Sequence, residues 1–266
     1  MQDTELQTDI QRIAECGPIR VWSLVVTIMG DLCQSPDTCI PGKTLGDLVG
    51  RLGITNQALR VALHRLRRDG WIQTVREGRT SNYFLSDRGR ELTLAVRDQI
   101  YHPAPPTDTT VWLVMAPQTM PANDFSENLP DESVALSPRV ALIAEKPDPS
   151  EDYLILPFAP HTLPQWAALA VAPEELQREF SDLRDAVALV LDRPDPASLT
   201  DRTALRLVIL HHWRRLVLRQ SGLADLVLPA DWPGTLARDS VQAALKRYPR
   251  PDPEALNREC GQETRF

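Results

Sequence analysis

Apolar residues recur every three or four positions in the first part of the chain, which is the spacing of helices that bury one face. The pattern predicts helices over residues 20–32, 43–53 and 55–69. Gly53 allows a tight turn before the third helix, and the hydroxyl of Thr55 is placed to cap that helix. The buried stripe expected on the third helix consists of Leu59, Ala62, Leu63 and Leu66.

The apolar period changes after Gly70, where the third helix is expected to end. The text "WIQTVREGRTSNYFLS" indicates two strands joined by a turn at 77–78. Ser86 or Asp87 then caps a helix that is expected to run to about Gln99. Helix, turn, helix and hairpin follow one another in the order of a winged helix-turn-helix, whose second helix enters the DNA major groove.

Proline-rich segments divide the rest of the chain. The segment 102–108, "HPAPPTD", reads as a linker, because proline cannot continue a helix. Short β-branched runs after it predict a small β-containing domain over 109–160. From Leu163 the pattern is helical, with helices predicted over 173–192 and 201–222 and a last amphipathic stretch after "PADWPG". The helix over 201–222 is expected to begin at an aspartate or threonine cap and to end at glycine.

Arginine is concentrated in one segment of an acidic chain. The formal net charge is −7, yet residues 51–90 hold nine arginines and three acids, so that segment is +6 and the remainder is −13. This contrast predicts one basic face on an acidic body, and a basic face attracts a polyanion. On charge alone, a solvated arginine-rich face without a partner remains the alternative.

The predicted third helix carries the residue types of a DNA-reading helix. Asparagine and glutamine can bond bidentately to adenine, and arginine to guanine. Arginines at the end of the helix and on the hairpin suit phosphates or a minor groove, whereas His64 could equally be a phosphate-adjacent or a simply exposed residue. The predicted DNA contacts are Thr55, Asn56, Gln57, Arg60, His64, Arg65, Arg67, Arg68, Arg76 and Arg79. The alternative is a protein-interaction adaptor, in which the winged helix is a docking surface and these side chains are merely solvated.

The chain has few features of other protein classes. No run approaches the roughly 18 apolar residues of a membrane span, and the polar, acidic N-terminus is not a secretory signal. Four cysteines match no zinc pattern, so reduced thiols in a cytoplasmic protein are expected, with a redox switch at Cys33 and Cys39 as the minority interpretation. No glycine-rich phosphate loop or nucleophile with a base occurs. We therefore expect neither enzymatic activity nor a cofactor.

Adjacent histidines at positions 211 and 212 invite a metal-site interpretation. On a helix their side chains point about 100° apart, so they cannot clamp one ion. Packed or capping histidines are the better interpretation.

Three stretches resemble the PaaX-type transcriptional repressors of phenylacetate catabolism. They are "RVWSLVVTIMGD", "LGITNQALRVALHRLRRDGWIQTVREGRTSNYFLSDRG" and "HHWRRLVLRQSGLADLVLPADWPG". Because they anchor both ends of the chain, the resemblance covers nearly all of it. It implies an α+β protein with a winged helix-turn-helix over 1–101, a small ferredoxin-like domain similar to the CRISPR-associated Cas2 fold over 109–160, and a helical C-terminal domain over 161–266.

The same resemblance implies a function. It implies a homodimer that binds double-stranded operator DNA and represses a catabolic operon until an aryl-acyl-CoA, such as phenylacetyl-CoA, releases it. The chain departs from the family in the middle domain, where Ala116 stands at the position of an aspartate and the following segment is acidic and free of arginine. Metal-dependent nuclease chemistry of the Cas2 kind would need that carboxylate and is not expected.

The C-terminal domain offers candidate effector contacts. Trp213, Arg214 and Arg215 share one predicted helix, and Trp232 follows it. Their rings could receive an aryl group and their guanidiniums phosphates. Because tryptophans are mostly buried, the favoured alternative is that both tryptophans belong to the core and that the arginines pair with acids or support a dimer.

Overall fold

The computed structural model describes residues 2–78, 80–102, 109–130, 132–145, 148, 152–159 and 163–262. Its mixture of helices and two antiparallel sheets confirms the predicted α+β class. The helices are α1 (Gln2–Ala14), α2 (Val21–Leu32), α3 (Gly42–Arg51), α4 (Asn56–Arg68), α5 (Asp87–Ala95), α6 (Arg97–Tyr101), α7 (Ala122–Glu127), α8 (Gln165–Val171), α9 (Glu174–Leu191), α10 (Leu199–Val217), α11 (Leu223–Val227), α12 (Pro233–Arg247) and α13 (Pro253–Gln262). The strands are β1 (Ile40–Pro41), β2 (Ile72–Glu77), β3 (Thr80–Leu85), β4 (Val111–Met115), β5 (Ser133–Ser137), β6 (Val140–Ile143) and β7 (Leu154–Phe158).

Helices α2, α3 and α4 confirm the predicted helical pattern of the first part of the chain. Gly53 has a φ of +73°, a left-handed conformation that suits glycine and allows the turn into α4. Thr55 Oγ1 accepts a hydrogen bond from the backbone N–H of Ala58 at 3.2 Å, so Thr55 is the N-cap of α4 as predicted. The side chains of the predicted stripe are buried, namely Leu59, Ala62, Leu63 and Leu66.

The hairpin also lies at the predicted position. β2 and β3 pair antiparallel from Ile72 opposite Leu85 to Glu77 opposite Thr80, and β1 pairs with the outer edge of β3. Gly78 has a φ of +61° at the tip. A glycine in this conformation lets a short turn match the twist of the two strands.

The helix expected after the hairpin is interrupted. Ser86 caps α5 by accepting a hydrogen bond from the backbone N–H of Gly89 at 3.0 Å. A single helix to about Gln99 is wrong, because Val96, with φ −105° and ψ 3°, separates α5 from α6. The break lets α6 turn and pack against α10. Tertiary packing here overrides the local helical pattern.

The strands predicted between residues 109 and 160 are confirmed as β4 to β7. They form one antiparallel sheet in the order β5-β6-β4-β7, and α7, which the sequence pattern did not predict, follows β4. A small separate core joins this sheet and α7, consisting of Val114, Ala116, Phe125, Ala141 and Ile143. Apart from His102, the predicted linker over 102–108 lies outside the described residues.

The C-terminal part is helical as predicted, but the predicted ends of α10 are wrong. Ser198 caps the helix, since its hydroxyl accepts a hydrogen bond from the backbone N–H of Asp201 at 2.9 Å. The helix ends at Val217 rather than at Gly222. Serine is among the strongest N-cap residues, and it lies three positions before the donor that it satisfies.

α10 is the central helix of the molecule. It packs against α1, α2 and α3 from the N-terminal part and against α9, α12 and α13 from the C-terminal part. Nearly all its side chains are buried, as expected of a helix that other helices surround. The apolar side chains of the two parts form one continuous core, and the three domain boundaries given above stay predictions.

Two polar contacts fix α3 to the C-terminal helices. Arg51 forms an ion pair with Asp201 on α10 at 3.0 Å. Thr44 Oγ1 donates a hydrogen bond to Asn257 Oδ1 on α13 at 2.8 Å. The helix that precedes α4 is therefore held by the C-terminal part.

A buried network ties α2 to α10. The Asp31 carboxylate, which is 0% exposed, accepts hydrogen bonds from Arg206 at 2.7 and 2.8 Å and from Tyr101 Oη at 2.8 Å, with Arg250 at 3.3 Å. Burial alone would raise the pKa of Asp31, but the hydrogen bonds and charge of Arg206 hold it below its ordinary value. Asp31 is therefore a buried, charged group whose charge depends on its partners.

Every helix within the described ranges is too short or too polar to cross a membrane.

Candidate nucleic-acid interface

One face of α4 is polar and open to solvent. Asn56, Gln57, Arg60 and His64 are exposed, and the leucine stripe on the opposite side is buried. Asn56 leans toward α3, because a Cβ placed on Gly46 would meet Asn56 Oδ1 at 3.0 Å. The structure thus brings Asn56, Gln57, Arg60 and His64 to one exposed face of the capped helix α4.

The arginines at the end of α4 are not all free. Arg65 and Arg68 approach the carboxylate of Asp69 at 3.5 and 3.0 Å, and the Arg65 guanidinium also lies 5.2 Å from the ring centroid of Trp22. The hydrogen bond from Arg68 is the main cause that lowers the pKa of Asp69. Both pairs are exposed, so salt screens them and a phosphate can compete with Asp69. Among the described residues, no side chain pairs with Arg67.

The hairpin carries its arginines near the tip. Arg76 is exposed on β2, opposite Ser81, and within the described part of the chain it has no carboxylate partner. Arg79 lies outside the described residues. The guanidinium of Arg76 is therefore available to an external anion.

The nine arginines of residues 51–90 do not form a single basic face, and that expectation is wrong. Arg51 is turned toward α10 by its pairing with Asp201, and Arg90 lines a crevice between helices. Net charge cannot reveal this division, because it depends on which side of each element an arginine occupies. Within the described ranges, α4 and the hairpin carry exposed arginines, and Arg88 on α5 joins the end of α4 by donating a hydrogen bond to the Asp69 carbonyl at 3.4 Å.

Two apolar side chains near this surface were missed by the sequence reasoning. Val61 on α4 is 67% exposed and Val75 on β2 is 49% exposed. Val61 lies off the leucine stripe, immediately after Arg60. An apolar residue outside the apolar period of a helix is expected to be exposed, and this was the signal in the sequence.

The two candidate effector tryptophans lie in the core. Trp213 is 1% exposed and its indole Nε1 donates to the carbonyl of Ile100 at 2.8 Å. Trp232 is 5% exposed and donates to Asp225 Oδ1 at 3.2 Å. Both rings meet Phe180 edge-on, at centroid distances of 6.0 and 5.3 Å. Both tryptophans are therefore core residues, which was the favoured alternative in the sequence analysis.

The two candidate effector arginines point to different places. Arg215 forms an ion pair with Glu179 and donates to the carbonyl of Cys16 at 3.1 Å. Arg214 lines the crevice between α2, α5, α6 and α10. The four predicted effector residues are therefore not brought together into one open site.

The adjacent histidines are packed residues in the structure. His211 Nδ1 lies 3.2 Å from Thr27 Oγ1, and His212 is 0% exposed. Burial lowers the pKa of His211 to about 4 and that of His212 to about 3, so both are neutral at pH 7. Across the described side chains, no group of three histidine, cysteine or acidic residues could hold a metal ion.

The thiols are not activated. Burial raises the pKa of Cys33 to about 12 and also raises that of Cys39. A reactive cysteine needs a stabilised thiolate, so these values disfavour the redox interpretation.

The chain matches two protein-family models. Residues 20–89 match the model of the PaaX-like protein, and residues 170–256 match that of the PaaX-like protein C-terminal domain. Together the matches cover more than half of the chain. The first match includes α2, α3, α4 and the hairpin, and the second includes most of α9 to α13.

The chain is also similar to individual proteins. It is 26% identical over 279 residues to the transcriptional repressor PaaX of Escherichia coli strain K12, with 95% of this chain and 87% of that protein covered. A solved structure of an uncharacterized protein from Mycobacterium tuberculosis aligns with a TM-score of 0.45 and 18% identity, over 89% of this chain and 97% of that one.

Proposed function

The chain belongs to the PaaX-like family, and we propose that it is a transcriptional repressor that binds operator DNA through α4 and the β2–β3 hairpin. The observation that carries the proposal is the capped helix α4, whose polar face is exposed and whose apolar face is buried. A transcriptional repressor is not an enzyme, in agreement with the expectation from the sequence. It acts where the chromosome lies, so the cytoplasm stays the proposed compartment.

The arrangement of elements supports a winged helix-turn-helix. α3 and α4 are joined by a tight turn at Gly53, and the hairpin follows α4 directly. In such proteins the second helix of the pair lies in the major groove with its N-terminal residues on base edges. We propose that α4 is this helix and that the β2–β3 hairpin is the wing.

The contacts divide into two kinds. Asn56, Gln57 and Arg60 can read base edges, and the exposed methyl groups of Val61 can meet a thymine methyl group. The arginines beyond them can hold phosphates, which fixes the position of the protein on any sequence. Thr55 and His64 lie close enough to the same surface to contact the DNA backbone. The proposed phosphate contacts are Arg65, Arg67, Arg68, Arg76 and Arg79.

The middle domain and the dimer stay proposals. The strand order β5-β6-β4-β7, with α7 after β4, supports a ferredoxin-like arrangement similar to that of Cas2. A homodimer would have to place its two α4 helices about 34–36 Å apart, or a multiple of this, to occupy two half-sites. We also propose that a small effector, of the acyl-CoA type that the family resemblance implies, releases the protein from DNA.

Replacing Arg60 with alanine should weaken binding to the operator by about 1–3 kcal/mol and relax the base preference at one position. Folding should be unchanged, because Arg60 is exposed opposite the buried stripe. Fluorescence anisotropy on the promoter of the chain's own gene, and on single-base variants of it, measures both effects. Arg178→Ala, which removes the same charge from an exposed site on α9, is the matched control. Full operator affinity in Arg60→Ala would contradict the assignment of α4, and no binding to any duplex at low salt would favour the adaptor.

Replacing Arg76 with alanine should weaken binding to all sequences alike. Each phosphate contact that is lost should reduce the slope of log affinity against log salt by about one unit. A titration of random duplex DNA between low and moderate salt measures this slope, again with Arg178→Ala as control. An unchanged slope would show that Arg76 does not touch the DNA backbone.

A further inference from the structure

An apolar crevice lies between the DNA-reading part and the central helix. Its walls are α2, the α5–α6 segment and α10, and its floor reaches Trp71 and Leu85 at the base of the hairpin. Its free volume in this structure is about 40 Å³, so a ligand of more than a few atoms must move the walls apart to enter. Leu92 and Leu94 at its rim are 40% and 51% exposed.

The charged groups around the crevice are strongly unbalanced. Arg90, Arg97 and Arg214 line it, and no carboxylate among the described residues pairs with any of them. Asp31 also lines it, but that carboxylate is already bonded to Arg206, Arg250 and Tyr101. The crevice therefore presents three arginines without acidic partners around an apolar surface.

Arg214 is the most constrained of these arginines. It lies on the buried helix α10, and burial lowers the pKa of its guanidinium. Arg215, the next residue, is compensated by Glu179, whereas Arg214 has no such partner in the described structure. A partly buried cation without a counter-charge carries a desolvation penalty that an incoming anion would offset.

We propose that this crevice binds an organic anion with an apolar body, such as an aromatic carboxylate, with the anionic group held by Arg214 and Arg97. The apolar walls take the body of the ligand, and the arginines select the anion over a neutral compound of the same shape. This site differs from the predicted effector set, because the tryptophans of that set are core residues and Arg214 alone is shared.

The position of the crevice connects ligand binding to DNA binding, and this part rests on the proposed function. One wall belongs to α10 and the other to α5–α6, which follow the hairpin directly. A ligand that binds best when these walls are slightly further apart shifts the hairpin relative to α4. Its effect on DNA affinity is limited by the difference in its affinity for the two arrangements.

The fluorescent amphipathic anion 1-anilinonaphthalene-8-sulfonate tests the site in the full-length protein without DNA. We expect saturable binding that 2-naphthoate displaces and that 2-naphthamide, its neutral counterpart, displaces much less. Arg214→Gln should raise the dissociation constant about tenfold or more. Arg97→Gln, at an exposed position on α6 where folding is not at risk, should weaken binding in the same direction. Arg219→Gln, just beyond the C-terminal end of α10 and outside the crevice, is the control of equal charge change.

Equal affinity in wild type, Arg214→Gln and Arg97→Gln, or equal displacement by naphthoate and naphthamide, would overturn the proposed site. The regulatory part is measured separately, by adding saturating naphthoate to the protein–DNA complex. A fall in DNA affinity that Arg214→Gln abolishes would support it. An unchanged DNA affinity with the crevice occupied would overturn the coupling and leave DNA binding itself untouched.

Discussion

Replacing Arg206 with methionine is expected to lower the free energy of unfolding by about 3–5 kcal/mol. The substitution keeps most of the side-chain volume but leaves the Asp31 carboxylate in the core without its bidentate partner. Tyr101 and Arg250 remain as partial compensation, so the lower end of this range is expected. Urea unfolding followed by circular dichroism measures the loss.

Two controls separate the buried pair from the general effect of removing an arginine. Arg184→Met breaks the exposed pair with Asp185 on α9 and should change stability by no more than about 1 kcal/mol. Asp31→Asn combined with Arg206→Met should cost less than the sum of the two single changes, because residues in one network are coupled. Additive single effects, or a fully stable Arg206→Met protein, would show that Asp31 does not depend on Arg206.

Replacing Trp213 with alanine should destabilise the protein by about 3–5 kcal/mol, the usual cost of truncating a large buried aromatic side chain. The change would open a cavity beside Phe180 and remove the hydrogen bond to the Ile100 carbonyl, which holds α6 on α10. Thermal unfolding measures the effect. It is the effect expected of a core residue rather than of an effector contact.

Trp166→Ala is the matched control, because that tryptophan is 60% exposed and its loss should change stability by no more than about 0.5 kcal/mol. Trp213→Phe should fall between wild type and Trp213→Ala, since it keeps a ring against Phe180 but not the indole donor. If Trp213→Ala melts like wild type and loses only its response to an effector, the core assignment of Trp213 is wrong.

The local architecture around α4 could be predicted because it depends on short-range chemistry. The cap at Thr55 lies three residues before its donor, the leucine stripe repeats within one helix, and the turn at Gly78 lies between strands of alternating pattern. Each of these signals is complete within about fifteen residues. The interruption at Val96 was not predictable in this way, because it follows from packing against α10, about one hundred residues later.

The crevice and the buried network could not be read from sequence. Asp31 and Arg206 are 175 residues apart, and although each stands in an apolar stretch, nothing in the sequence pairs one with the other. Arg214 and Arg215 are neighbours in a helix with similar local surroundings in sequence, yet Arg215 meets Glu179 and Arg214 meets no carboxylate of the described residues. The orientation of α10 in the assembled core determines the direction in which each of the two side chains points, and therefore which of them meets a carboxylate.

The packing of α1, α2 and α3 against α10 has a consequence for the synthesis of the protein on the ribosome. The helices that support α4 and the hairpin are made first, but the helix on which they pack is completed only at residue 217. At typical elongation rates of about 5–20 residues per second, roughly 10–30 s separate the two. Until then the apolar side chains of α2 lack their final cover. We therefore expect that a chain terminated before α10 is complete gives no stable fragment containing α4, and that the proposed DNA-binding surface forms only near the end of translation.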